Sequence, residues 1–234
     1  TIGTDAIKVG IIYRTDTVAP VGNYAVLDDP AFVDPNNLGE PKNRSALAQS
    51  FVDDETGGVF TVVVNHLKSK ASACGPGDDD PIQGNCNLTR ALAADYLVDW
   101  LATDPTGVGD EDYLIIGDLN AYDKEDPIDE IREGPDDYPR TRDDYVDLLL
   151  LYEGNDACPY VFDGQFGYLD CGMANVTMLR EVTGTTAWHI NADEPDILDY
   201  DMSFKKDPQD ALYAVNPYRS SDHDPVIVGL KLLR

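Results

Sequence analysis

Tyr113-Leu114-Ile115-Ile116-Gly117-Asp118-Leu119-Asn120 is an apolar run that closes on an acid and an amide. Its length and branched residues predict a strand buried on both faces. Asp118 and Asn120 stand two apart, so on extended chain they face one side. The pattern recurs on either side of this run. Val59–Val64 is continuous and rich in β-branched residues, which predicts a second central strand delivering Asn65-His66-Leu67-Lys68 at its C-terminal end. Tyr168-Leu169 predicts a strand ending near Asp170, and Val226–Leu232 predicts a last strand, introduced by Ser220-Ser221-Asp222-His223-Asp224-Pro225.

Between the strands, helical spacing appears. Leu88, Leu92, Tyr96, Leu97, Trp100 and Leu101 predict a helix from Asn87 to about Ala102, capped by Asn87 or Thr89. Asp126–Arg132 predicts a short helix with Pro127 at its first position. Ile7–Tyr13 predicts a buried strand, followed by a proline-bearing, loop-rich stretch to about residue 45. Tyr145–Tyr152 and Asn175–Val182 predict short helices, and Ala187–Ile190 a strand. Strands alternating with helices predict one layered α/β (α+β) domain over residues 1–234.

The composition sets limits. The 234 residues carry 44 acids against 17 Lys+Arg, a net charge of −27, yet 42% are hydrophobic. That hydrophobic share is globular and excludes a disordered acidic tail. No run of about 18 apolar residues occurs, so no membrane-spanning helix is expected. Diffuse negative charge repels phosphate, so a nucleic-acid substrate would need metal ions and a local group of bases. Lys68, Lys70, Arg90, Arg140, Arg142 and Arg219 are the candidates for that group. Asp78-Asp79-Asp80 lacks the spacing of an EF-hand loop, which leaves Ca²⁺ only as a structural ion.

The four cysteines form two local couples, Cys74 with Cys86 and Cys158 with Cys171, and no CxxC occurs. Local spacing suits two loop-closing disulfides and a secreted, extracellular setting; free buried thiols are the alternative.

Polar residues placed right after buried strands project into the crevice where α/β sheets take ligands. Two of the three histidines, His66 and His223, adjoin amides or carboxylates in this way. A carboxylate such as Asp118 can deprotonate water, and Asp222 beside His223 suits a hard cation next to a proton donor. Carboxylates, amides and imidazoles without thiolates point to Mg²⁺ or Mn²⁺ rather than Zn²⁺. Water attack on a phosphoester is the chemistry such groups serve.

Asn65-His66-Leu67-Lys68-Ser69, Gly117-Asp118-Leu119-Asn120-Ala121 and Ser221-Asp222-His223-Asp224-Pro225-Val226, in that order, resemble the motif set of the endonuclease/exonuclease/phosphatase superfamily. Tyr168-Leu169-Asp170 resembles its Asp motif. Trp188–Pro195 and the cysteine-flanked loop before Arg90 resemble its branch of secreted bacterial nucleases. The resemblance implies a DNase I-like β-sandwich flanked by helices. It implies that Asp118 activates water, that Asn120 and His66 contact the scissile phosphate, and that His223, oriented by Asp170, acts from the other side. It implies a metal on Asp222 and phosphate contacts from Lys68 and Arg90, while Tyr218-Arg219 is a candidate pair for a base and a phosphate. Residues 1–20 hold neither the Asn-ended strand nor the Glu with which the superfamily begins. The expectation is thus a domain without its first strands, with an upstream segment of the same polypeptide as a partner.

The activity this implies is secreted, metal-dependent hydrolysis of DNA or RNA. A phosphomonoesterase or other phosphoesterase on the same fold is the alternative, as is a non-catalytic extracellular assembly module.

Overall fold

Alternation along Tyr113–Asp118 divides the core into two. The computed structural model describes residues 2–3, 6–199, 201, 203 and 205–233. Its elements run β1 (Val18–Leu27), α1 (Pro30–Val33), β2 (Ala46–Asp53), β3 (Val59–His66), α2 (Asn87–Leu101), β4 (Tyr113–Asp118), α3 (Asp126–Glu133), β5 (Tyr145–Asp147), α4 (Leu148–Glu153), β6 (Tyr160–Phe162), β7 (Gln165–Gly167), β8 (Asp170–Asn175), β9 (Val182–Ala187), α5 (Asp207–Asp210) and β10 (Val226–Leu230). Six strands form the central sheet in the order β1-β2-β3-β4-β8-β5. Tyr113 and Ile115 pack with Val63 and with Leu97, Leu101, Ile128 and Ile131 of α2 and α3. Leu114 and Ile116 face the other way, among Phe60, Met178, Val228 and Leu230. Helices therefore cover one face and the β9–β10 pair the other, a mixed α/β architecture. Each fully buried Leu or Ile contributes about 1.5–3 kcal/mol to holding these layers together.

β3 and β4 are parallel, with α2 as the crossover, while β8 is antiparallel to β4. This direction corrects the expectation for Asp170, which opens β8 instead of closing a strand. Because the strand runs backwards, its first residue lies beside the last residue of β4.

Other expectations also shift. Residues 7–13 form no strand; Ile7 and Ile12 are exposed, and Tyr13 only rests its ring on Phe51, 5.1 Å away. Apolar content alone does not make a strand. The stretch expected to be loop contains β1, an edge strand that tolerates Pro20 and an irregular register between Val21 and Ala25. Tyr145–Tyr152 splits into β5 and α4, with Asp147 capping the helix by accepting from Leu150 N–H. The strand expected at Ala187–Ile190 ends at Ala187, and in place of a helix over 175–182 a 3₁₀ turn over Met178–Arg180 joins the end of β8 to the start of β9.

α2 begins where expected, but neither Asn87 nor Thr89 is its cap. Cys86 holds that position at φ 58° with no side-chain bond. Asp78 does the capping from a distance, accepting from Thr89 N–H (2.8 Å) and Thr89 Oγ1 (2.6 Å). Asp79 accepts from the backbone of Cys74, Gly75 and Cys86, and Asp80 from that of Ile82 and Gln83. The acidic triplet thus folds its own loop. No helix among the described residues is long and apolar enough to cross a membrane.

Cys74 and Cys86 form a disulfide across this loop. The second expected bridge is absent: Cys158 and Cys171 are free. Cys171 sits at a core position of β8 with its thiol toward Leu169 O, while Cys158 lies in the half-buried approach to β6. Denatured protein should therefore release two thiols per chain to a thiol reagent; zero would restore the second bridge. Cys86→Ser should lower unfolding stability by about 2–4 kcal/mol, measured by urea denaturation.

Candidate active site

Backbone register assembles the site. His66 pairs with Asp118 across β3–β4, and Asp118 pairs with Asp170 across β4–β8. The three residues lie abreast, one strand spacing apart. Gly117 makes the approach possible. At φ 120°, a Cβ here would fall 2.1 Å from Asn65 O, so only glycine fits.

His66 Nε2 lies 3.4 Å from Asp118 Oδ2. Asn120, in the left-handed region at φ 49°, turns back on Asp118. Its backbone N–H donates to Oδ1 (2.8 Å) and its Nδ2 to Oδ2 (2.9 Å) and to Leu67 O (3.1 Å). Both amide hydrogens point inward, so Asn120 fixes the carboxylate. Burial, then the charge of Asp170, push the Asp118 pKa up to about 6, against the N–H of Asn120 and the charge of His223.

His223 comes from the segment before β10 and hydrogen-bonds through Nδ1 to Asp170 Oδ2. Burial disfavours its charged form, but Asp170, Asp118 and Asp222 outweigh that and raise its pKa to about 9. Asp222 Oδ2 lies 4.0 Å from His223 Nε2, with about half of its side chain exposed. Asp224 clamps the neighbouring loop. Its Oδ1 accepts from the N–H groups of Ile190, Asn191 and Ala192, and its Oδ2 meets His189 Nδ1 at 3.2 Å.

The expected cations separate into three groups. Arg90 is wholly buried; Nη1 donates to Lys68 O (3.0 Å) and Asn85 O (2.7 Å), so it props the loop instead of meeting solvent. Arg219 is also buried, bonded to Ala192 O and 3.6 Å from Asp199. Lys70 pairs with Glu125, while Arg140 and Arg142 line hollows shared with Asp129, Glu133, Asp110 and Glu111. Lys68 follows the end of β3, with Nζ donating to Ser69 O (3.0 Å) and Ser72 Oγ (3.0 Å); burial, then the positive charges of Arg44, Lys42 and Arg90, lower its pKa.

Arg44 escaped sequence reasoning. It lies near enough to Asp118 to favour its ionised form, and its N–H donates to His66 O (3.2 Å). Neighbouring Asn43 accepts from Lys68 N–H (2.8 Å), which ties this segment to the end of β3. The signal was absent because Asn43-Arg44 follows a loop without periodicity. Tyr160 was missed too: its ring lies 4.6 Å from that of His223.

Among the described residues, Asp95, Glu130 and Asp137 bring three potential metal-ligating groups together, and none of these is a strand-end residue. The active-site donors suit a different mode of binding. Mg²⁺ keeps most of its water and takes one or two carboxylates plus substrate phosphate. The half-exposed Asp222, 4.0 Å from His223 Nε2, offers one such carboxylate, and Asp118, which Asp170 repels, offers another.

The fold has solved representatives. A Bacteroides vulgatus endonuclease/exonuclease/phosphatase protein matches at 16% identity and TM-score 0.52, over 94% of this chain and 68% of that one. The mannosyl-6-phosphatase Bt3783 of Bacteroides thetaiotaomicron matches at 17% and 0.54, over 94% and 69%. The human nocturnin catalytic domain matches at 19% and 0.48, over 70% and 50%. This chain thus spans about half to two thirds of the length of these structures. No family model and no curated protein sequence matches it. The chain has the endonuclease/exonuclease/phosphatase, or DNase I-like, fold.

In metal-free protein, NMR should show His223 titrating near pH 9 instead of its ordinary 6.5. The stability it contributes is then full below about 6.5 and lost as pH rises through about 9. Asp170→Asn should lower that pKa by about one unit or more; an unmoved value would remove Asp170 from the coupling.

Proposed function

We propose that this chain is a metal-assisted phosphoesterase that hydrolyses phosphodiester bonds of nucleic acid by attack of water. The observation that carries this reading is local charge reversal. In a protein of net charge −27, burial and then the positive charges of Arg44, Lys42 and the buried Arg90 lower the pKa of Lys68, and Arg44 lies near enough to Asp118 to favour its ionised form. Such a group suits a bound anion, which would relieve that repulsion.

In this reading Asp118 is the general base, with a pKa near 6 that leaves it ionised at neutral pH yet basic enough to take a proton. Asn120 holds its carboxylate in position. His66 and protonated His223 flank the phosphate and stabilise charge on its oxygens, and Asp170 keeps His223 charged and oriented. Lys68 and Arg44 supply the standing positive field. Asp222, with Asp118 and Asp170 nearby, would hold Mg²⁺ or Mn²⁺. When bound, that ion neutralises developing phosphoryl charge.

The Cys74–Cys86 disulfide supports placement in an oxidising, extracellular compartment. The likeness in fold to a mannosyl-6-phosphatase makes phosphomonoester hydrolysis the competing substrate choice.

Purified protein with Mg²⁺ should cleave DNA, offered both single-stranded and as plasmid, faster than it dephosphorylates mannose 6-phosphate, and EDTA should stop it. Asp118→Ala should cost about 10²–10⁴-fold in rate without loss of the folded state. Faster turnover of the monoester would replace the diesterase reading, and nicking by Asp118→Ala would refute the assigned base.

A further inference from the structure

β6 and β7 form a hairpin that the proposed chemistry leaves unused. Its tip is Asp163-Gly164, both at positive φ (49° and 74°), the two-residue turn that matches strand twist. The hairpin is fastened to the active site: Tyr160 bridges to His223, and Asp224 N–H donates to Pro159 O (2.7 Å). Tyr160 and Phe162 project from one face, as residues two apart on a strand must. Their rings are parallel within 8°, with centroids 6.4 Å apart, and Phe162 is 64% exposed. Opposite Tyr160, Gly167 has no side chain, and the Tyr122 ring occupies that space, 2.8 Å from where a Cβ would lie. The rings of His223, Tyr160 and Phe162 therefore form a row leading from the proposed phosphate site to solvent.

We propose that Phe162, backed by Tyr160, is a stacking platform for a nucleobase next to the scissile phosphate, so the site takes single-stranded oligonucleotide. The inference rests on the phosphodiesterase reading, which places the phosphate at His223. Continuity with that site and charge select the occupant. A protein of net charge −27 gains little long-range attraction to a nucleic-acid backbone. Stacking on a neutral ring does not depend on that attraction and accepts any base. A lipid surface fits worse, because membrane-binding segments flank their aromatics with Lys or Arg; this tip carries Asp163.

The test is equilibrium binding in Mg²⁺ of a fluorescein-labelled tetrathymidylate and of an abasic tetramer with the same backbone. The Asp118→Asn protein is used so that neither is cut. The tetrathymidylate should bind about 5- to 100-fold more tightly. Phe162→Ala should reduce its affinity to that of the abasic tetramer and leave the abasic value unchanged. Phe162→Leu should recover little, since stacking needs a ring. Equal binding of the two tetramers overturns the proposal, as does full rescue by Leu. Loss of phosphatidylcholine-vesicle binding in Phe162→Ala, with base preference intact, overturns it in favour of lipid. Base preference without phosphoester hydrolysis by the wild type would instead defeat the underlying activity, so the two failures are distinguishable.

Discussion

Pairing of β4 with β3 on one side and β8 on the other is the constraint on which the rest depends. Neighbouring strands lie about 4.8 Å apart, so the register His66–Asp118–Asp170 brings these three residues together before any side chain interacts. The cost is visible in Asp118, whose carboxylate is buried beside another one and titrates near 6. The core on both faces of β4 outweighs it, with Ile115 wholly buried on one side and Leu114 nearly so on the other. His223 then completes the row, and the same Asp170 that disfavours ionised Asp118 favours protonated His223.

Much of the chain's acidity is spent on loops. Asp79 and Asp80 gather backbone N–H groups around the disulfide loop, and Asp53 does so after β2. Asp104 accepts from the N–H groups of Gly107, Val108 and Gly109, and Asp224 from three more beside the active site. Such Asp-centred turns order irregular backbone without helices or strands. For Asp53, Asp79 and Asp80 these bonds lower the pKa. Their support is in place above the ordinary carboxyl range and is lost on acidification.

The sequence made the centre of the fold legible and its edges much less so. β3, β4 and α2 carry long apolar signals, and the structure places them where those signals lie. β1 and β2 hold small or polar residues such as Ala19, Gly22, Ala46, Ala48 and Ser50, whose strand character comes from pairing with neighbours. Residues 7–13 erred in the opposite sense: the run is apolar, yet it forms no strand, and only some of its side chains, such as Ile11, pack on the core. Motif residues flagged the strand ends, but strand direction decided that Asp170 meets Asp118. Basic residues were the least legible. Composition could not show that Arg90 and Arg219 are buried props, or that Arg44 lies beside the site.

The central claim is that Asp118 and His223 act as a coupled base and charged imidazole, with Asp170 between them. The pH dependence of kcat/KM for phosphodiester hydrolysis measures this most directly. The account predicts a bell with limbs near pH 6 and 9, of which Asp170→Asn shifts the upper limb downward. A profile whose upper limb ignores Asp170→Asn would contradict it.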